Sequence, residues 1–158
     1  MADALRYGVA SSAQIAGLSG REMLEAMLDG RLPAAPIARA MAFRLIEVGD
    51  GTATFEGEPS EDLFNPLGTV HGGWALTLID SAAGCAVHST LEAGVGYTTI
   101  ETKANFSRAI RADTGKVRAE GRVVAGGRRI VSAEARIVDQ AGRVLAHGTS
   151  TLMILRDR

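Results

Sequence analysis

The chain has 158 residues, of which 46% are apolar and 22% charged, and its formal net charge is −1. That is the size of one domain able to bury a proper core, and with no basic block nothing points to nucleic-acid binding. A single cysteine, Cys85, excludes a disulfide framework within the chain and argues against a Cys-based metal site; a small buried hydrophobe is the reading that fits it. The N-terminus, MADALRYGVASSAQIAG, has neither a basic n-region nor a continuous apolar h-region, so no signal peptide is predicted. No uninterrupted apolar stretch reaches membrane-spanning length, and a soluble, cytoplasmic protein is the expectation.

Residues 1–18 carry weak signals and are expected to be partly disordered. Ser19-Gly20-Arg21-Glu22 has the S-x-x-E form of a capping box. Met23, Leu24, Met27 and Leu28 follow at helical spacing, and Gly30 is a plausible stop, so a short amphipathic helix is predicted over residues 20–29. Pro33 and Pro36 break this pattern, with room for a single turn over residues 37–41. This N-terminal helical arm, residues 1–41, shows no recognisable chemistry and reads as packing against the domain or a neighbouring subunit.

From residue 42 the chain reads as strands. Residues 42–48 and 52–58 flank Asp50-Gly51, a tight hairpin signal. A loop containing Pro59, Pro66 and Gly68 leads to an apolar helix from near Gly72 to about Leu91. That helix has no polar stripe and is predicted to be surrounded by protein. Four more strands are expected, at residues 97–108, 115–125, 129–138 and 143–155. Val131, Ala133, Ala135 and Ile137 alternate with Ile130, Ser132, Glu134 and Arg136. Val144, Ala146, Ser150, Leu152 and Ile154 alternate in the same way with Leu145, His147, Thr149, Thr151 and Met153. Period two with one apolar face indicates an antiparallel sheet covered on one side. The economical fold is α+β, a curved antiparallel sheet wrapped around one long helix, in a domain of residues 42–158.

The chemistry concentrates in residues 65–80, NPLGTVHGGWALTLID. A helix starting at Gly72 offers unpaired N–H groups and a positive dipole end, and Gly72-Gly73 lets a carbonyl oxygen come close to that backbone. Such a donor suits the oxyanion of acyl transfer. Asp80 is an isolated acid in apolar surroundings, costly unless paired, bonded or used, and a carboxylate can attack directly or activate water. Eight helical residues separate Gly72 from Asp80, a rise of about 12 Å, so one reacting carbon cannot touch both within a subunit. Two antiparallel copies of the helix solve this, and the sequence argues for a homodimer with two shared sites. Plainer readings exist for each residue: Asp80 as a structural carboxylate, Asn65 as an Asx-turn before Pro66, His71 as a helix cap, Trp74 as core or pocket wall, and His88 and His147 as structural or exposed.

Asn65-x-x-Gly68-x-x-His71-Gly72-Gly73 followed by Asp80, with Thr99-Ile100-Glu101 and Asn105-Phe106-Ser107-Arg108 downstream, resembles the hotdog-fold acyl-CoA thioesterases, in particular their PaaI-like (phenylacetate-pathway) branch. The resemblance covers roughly residues 42–155. It implies that Gly72 donates its N–H to the thioester carbonyl and that Asp80 is nucleophile or general base. It further implies that Asn65 and His71 position the carbonyl or the water and that Thr99 orients the attacking water. Gly73, Trp74 and Arg108 are the implied substrate-binding residues; Arg108, like Arg111, Arg128 and Arg129, is a candidate partner for the phosphates of coenzyme A. Arg108-Ala109 departs from the Arg-Pro pair of many relatives. The implied protein hydrolyses an acyl- or aryl-CoA without a metal or redox cofactor and assembles as a dimer of dimers. The rival readings are a hotdog hydratase or dehydratase, which pairs a His with an acid in a different motif, and a non-enzymatic acyl-CoA sensor, which would have little use for Asp80.

Overall fold

The computed structural model describes residues 5–156. Three short helices come first: α1 (Ser12–Ile15), α2 (Gly20–Leu28) and α3 (Pro36–Ala40). The hairpin β1 (Phe43–Gly49) and β2 (Thr52–Gly57) precedes the long helix α4 (Gly72–His88), and β3 (Val95–Phe106), β4 (Val117–Gly126), β5 (Ile130–Val138) and β6 (Val144–Arg156) follow it. The strands form one sheet in the order β1-β2-β4-β5-β6-β3, with every neighbouring pair antiparallel. Its two edges curl toward the same side of α4, since Leu45 of β1 and Tyr97 of β3 line one cavity. The expected hotdog architecture, a curved sheet around a central helix with a helical arm, is the one present.

Apolar side chains drive this arrangement. Trp74, Leu78, Ile79 and Val87 of α4 are fully buried against Val117, Ile137 and Leu152 of the sheet, each burial stabilising by about 1.5–3 kcal/mol. The sheet carries glycine where the helix presses closest. A Cβ at Gly121 would land on the backbone carbonyl of Ala82, and one at Gly57 would meet the Trp74 ring at 2.8 Å. Helix and sheet therefore touch backbone to backbone on that side.

The arm docks on the end of α4. Ser19 caps α2 in the predicted capping box, its side chain accepting from the Glu22 N–H, and the Gly20 N–H donates to the Leu91 carbonyl at 3.0 Å. Within residues 5–18 the chain is structured rather than disordered: α1 carries its own Ser11–Gln14 capping box, and Tyr7 bridges to Ala34 in parallel. Residues 1–4 of the expected disordered stretch lie outside the described residues.

Three further expectations need correction. The central helix stops at His88 rather than near Leu91, because the Ser89 and Thr90 hydroxyls donate to the Ala86 and Val87 carbonyls, both at 2.7 Å, and turn the chain. Nor does one chain surround α4 completely. Gly73, Leu76, Thr77, Asp80, Ser81, Cys85 and His88, a stripe at helical spacing, are only half-buried. In β6, Leu145 was expected to face outward with His147, yet it is buried, because the β5–β6 pairing slips by one residue between Ile137 and Val138.

Candidate active site

The N-terminus of α4 is built by the loop before it. Asn65 closes that loop: its Oδ1 accepts from the N–H groups of Leu67 (2.9 Å) and Thr69 (3.3 Å), and its Nδ2 donates to Thr69 Oγ1 (2.9 Å). This is the Asx-turn reading, with one Nδ2–H left over. His71 is the N-cap of α4, and its Nδ1 accepts from the Gly73 N–H at 2.8 Å. That contact makes Nδ1 the acceptor and leaves Nε2 to carry the ring proton. The Trp74 N–H donates to the His71 carbonyl at 3.0 Å. Of the first three helical N–H groups, only that of Gly72 donates to no group among the described residues. The ring of Phe106 stands beside it, 3.2 Å from where a Gly72 Cβ would be.

Asp80 lies two turns further along. Its Oδ1 accepts two hydroxyl hydrogen bonds, from Thr99 and from Thr102, both at 3.0 Å. Thr102 in turn lies 2.8 Å from the hydroxyl of Ser150, which is 1% exposed. Because the Thr102 proton goes to the carboxylate, Ser150 is the donor in that pair, and the three groups form a directed chain from Ser150 through Thr102 to Asp80. Oδ2 accepts no hydrogen bond among the described residues and is not a buried unpaired atom, so it is the accessible oxygen. Thr99 was expected to orient water; here its hydroxyl proton is committed to the carboxylate itself.

Thr102 and Ser150 were missed as site residues, and the reason is local. Residues 99 and 102 would face opposite sides of a regular strand. In the β3–β6 pairing Thr99 opposes Leu152 and Glu101 opposes Thr151, so Ile100 is an extra residue. That bulge brings Thr99 and Thr102 to the same face.

Asp80 and Thr99 line a cavity of about 230 Å³, with Ser81, Cys85 and Tyr97 beside them. Burial, and secondarily the nearby Asp80 carboxylate, pushes the Cys85 thiol up to about 12, and burial likewise raises the Tyr97 hydroxyl. Apart from Asp80, this wall is neutral at physiological pH. His88 lies against the Tyr97 ring, 5.4 Å between centroids, and burial lowers its proton affinity; His147 is exposed.

Trp74, named as a substrate-binding residue, belongs to the core. It is 1% exposed, and its indole N–H donates to the Met41 carbonyl at 2.6 Å. Gly73 has its N–H occupied by His71. Arg108 is exposed, and the Val70 N–H to Ile110 carbonyl bond of 2.9 Å keeps its loop beside the start of α4. Arg108, Arg111, Arg128 and Arg129 make no ion pair among the described residues, unlike Arg44, Arg118, Arg122 and Arg136. No described helix is long and apolar enough to cross a membrane. The structure thus gathers Asn65, His71 and Gly72 at the head of α4 and Asp80 with Thr99 at its middle, two groups separated by the helical rise.

The thioesterase superfamily model matches residues 67–146, just over half of the chain. No curated protein matches. Among solved structures, a conserved protein of Pseudomonas aeruginosa is 32% identical, covers 76% of this chain and 94% of its own, and superposes with a TM-score of 0.71. A phenylacetic acid degradation-related protein of Ralstonia eutropha JMP134 is 26% identical over 82% of this chain and 98% of its own, with a TM-score of 0.74. A Streptococcus mutans UA159 protein solved bound to acetyl CoA shares the fold at 24% identity, 73% and 90% coverage and a TM-score of 0.66. With the family model across the α4 region and the sheet and helix of these neighbours throughout, the chain belongs to the thioesterase superfamily, in its hotdog-fold, PaaI-like branch.

Proposed function

We propose that the protein is an acyl-CoA thioesterase, hydrolysing R–CO–S–CoA to the free acid and CoA. The observation that carries this reading is that one helix presents both an N–H at Gly72 and a carboxylate oxygen, Asp80 Oδ2, that have no hydrogen-bond partner among the described residues. Those are the two groups that acyl transfer to water needs: a donor for the developing oxyanion and a base or nucleophile. The carbonyl oxygen sits on the Gly72 N–H, with His71 Nε2–H and the spare Asn65 N–H at the same helix end. Asp80 Oδ2 takes a proton from the attacking water, or attacks the carbonyl carbon itself to give a mixed anhydride that water then cleaves; in either case the C–S bond breaks and the departing thiolate takes up the proton given by that water. The superfamily membership and the acetyl-CoA-bound neighbour support the choice of a CoA thioester.

The half-buried stripe on α4 and the unpaired edge of β3 support a second copy as the missing surface, bringing its Gly72 to this chain's Asp80. We place Arg108, exposed at the head of α4, on the phosphates of CoA. A pair of such dimers is the assembly the resemblance implies, and the cytoplasm is the compartment we assign. The test is a hydrolysis screen over aromatic and aliphatic acyl-CoA esters, following release of free thiol. Turnover of at least one class is expected; inactivity throughout, with CoA esters still bound, would move the reading to a sensor.

The Ser150–Thr102 chain positions Asp80 in this scheme. Thr102→Val removes a hydrogen bond to a charged group, worth about 1.5–3 kcal/mol, and strands Ser150 as well. We expect kcat to fall about tenfold or more with KM little changed, and Thr102→Ser to recover most of the loss. A Thr102→Val enzyme with full kcat would reduce the chain to packing.

A further inference from the structure

The cavity at Asp80 has one wall that the thioesterase domain does not supply. Leu5, Met27, Ala34, Ala35, Ile37 and Ala38 all belong to the N-terminal arm, which lies wholly outside the family match of residues 67–146. Phe43, Leu45 and Phe55 of β1 and β2 form the facing wall, and α4 and β3 close the catalytic end. The arm is firmly placed: Arg6 donates to the Gly30 carbonyl at 2.8 Å, the Gly8 and Ala34 N–H groups pair with Ala34 and Arg6 carbonyls, and Leu24, Ala26 and Ala38 are buried.

From this geometry we infer that the arm is the acyl-specificity wall, and that the preferred substrates are CoA thioesters of uncharged, apolar acyl groups with about six to eight carbons beyond the carbonyl. The inference rests on the thioesterase reading for its chemistry and on the cavity for its substrate class. At about 30 Å³ for each water-sized group, the 230 Å³ that a single chain bounds takes about eight carbons. The lining beyond Asp80 offers the tail no charged partner. Burial keeps the Cys85 thiol and the Tyr97 hydroxyl neutral, and the arm contributes only Leu, Met, Ala and Ile. A charged acyl tail would be desolvated there without compensation. The small residues Ala34, Ala35 and Ala38 keep the space open, and Met27 is the largest flexible side chain that the arm puts into it.

The experiment compares kcat/KM across acetyl- to dodecanoyl-CoA for the wild type, Ala35→Leu and Met27→Ala. Ala35 is exposed and caps α3 without a side-chain bond, so leucine there fills the cavity without disturbing the core. The octanoyl-to-acetyl ratio is expected to fall about tenfold in Ala35→Leu, as two methylenes lose their burial. In Met27→Ala the optimum should move to longer chains. Hydrolysis with a chain-length profile identical in all three proteins would overturn the inference and leave the thioesterase reading standing. Should no ester be hydrolysed, calorimetric binding of S-octyl-CoA and S-ethyl-CoA thioethers decides separately. Tighter octyl binding that Ala35→Leu weakens upholds the arm cavity, whereas equal affinity for the two thioethers overturns it.

Discussion

Asp80→Asn should fold like the wild type and lose at least about a thousandfold in kcat. The structure says why the two outcomes separate. Both hydroxyl donors, Thr99 and Thr102, bond to Oδ1. An asparagine can present its carbonyl oxygen there, keep both bonds and leave the Thr102–Ser150 pair undisturbed. What changes is the accessible atom: the Oδ2 position becomes an amide NH2, which neither takes a proton from water nor attacks a carbonyl. Thermal melting checks the first half and thiol release under saturating acyl-CoA the second. Near-wild-type turnover in a well-folded Asp80→Asn protein would remove Asp80 from the chemistry and leave it a structural carboxylate.

The second large effect is a recovery rather than a loss. Gly72 and Asp80 sit on one continuous helix, about 12 Å apart along its axis, so a site made of both groups needs two chains. Take Asp80→Asn as one inactive protein and Gly72→Val as the other. Valine at 72 meets the Phe106 ring, which is exposed and can swing aside, while its branched side chain crowds the carbonyl away from the N–H. A mixed dimer has one site carrying both lesions and one carrying neither. Co-refolding equal amounts should therefore return about a quarter of wild-type activity, since random pairing makes half the dimers mixed and each holds one intact site of two. Mixed dimers demonstrated by differential tagging but still inactive would mean that both residues act from one chain or that one has no role.

The sequence revealed the fold well because its signals were periodic. Val131, Ala133, Ala135 and Ile137 announce a strand face by alternation, and all four are buried. Asp80 stood out because a carboxylate among Leu78, Ile79, Ala82 and Ala83 needs a reason to be there. Alternation fails where a strand gains a residue. Ser150 was placed on the inward face of its strand, but nothing in the order of letters shows that Ile100 goes unpaired and that Thr102 therefore reaches Asp80. Leu145 was misplaced for the same kind of reason. The cavity wall was illegible for a different one: Met27 and Ala35 acquire meaning only when the arm folds back across β1, a contact between segments whose local patterns are complete without it. His71 shows the reverse case: its local role as helix cap is plain, and because that role uses only Nδ1, Nε2 is left for the role proposed above.

The unpaired Ile100 also changes what kinds of genetic variation β3 can absorb. Inward-facing residues before it run 95, 97, 99, and after it 102, 104, 106, so the strand is read in two frames joined at one letter. Ile100 itself is exposed, and exchanges of its side chain should pass almost unnoticed. Deleting it would remove the bulge and join the two frames into one, in which Thr99 and Thr102 stand two positions apart and still share a face with Tyr97, with the pairing to β6 unchanged. Neither the spelling nor the presence of residue 100 decides which face Tyr97, Thr99 and Thr102 present, so lineages of the protein should tolerate both substitutions and a one-residue gap at that position.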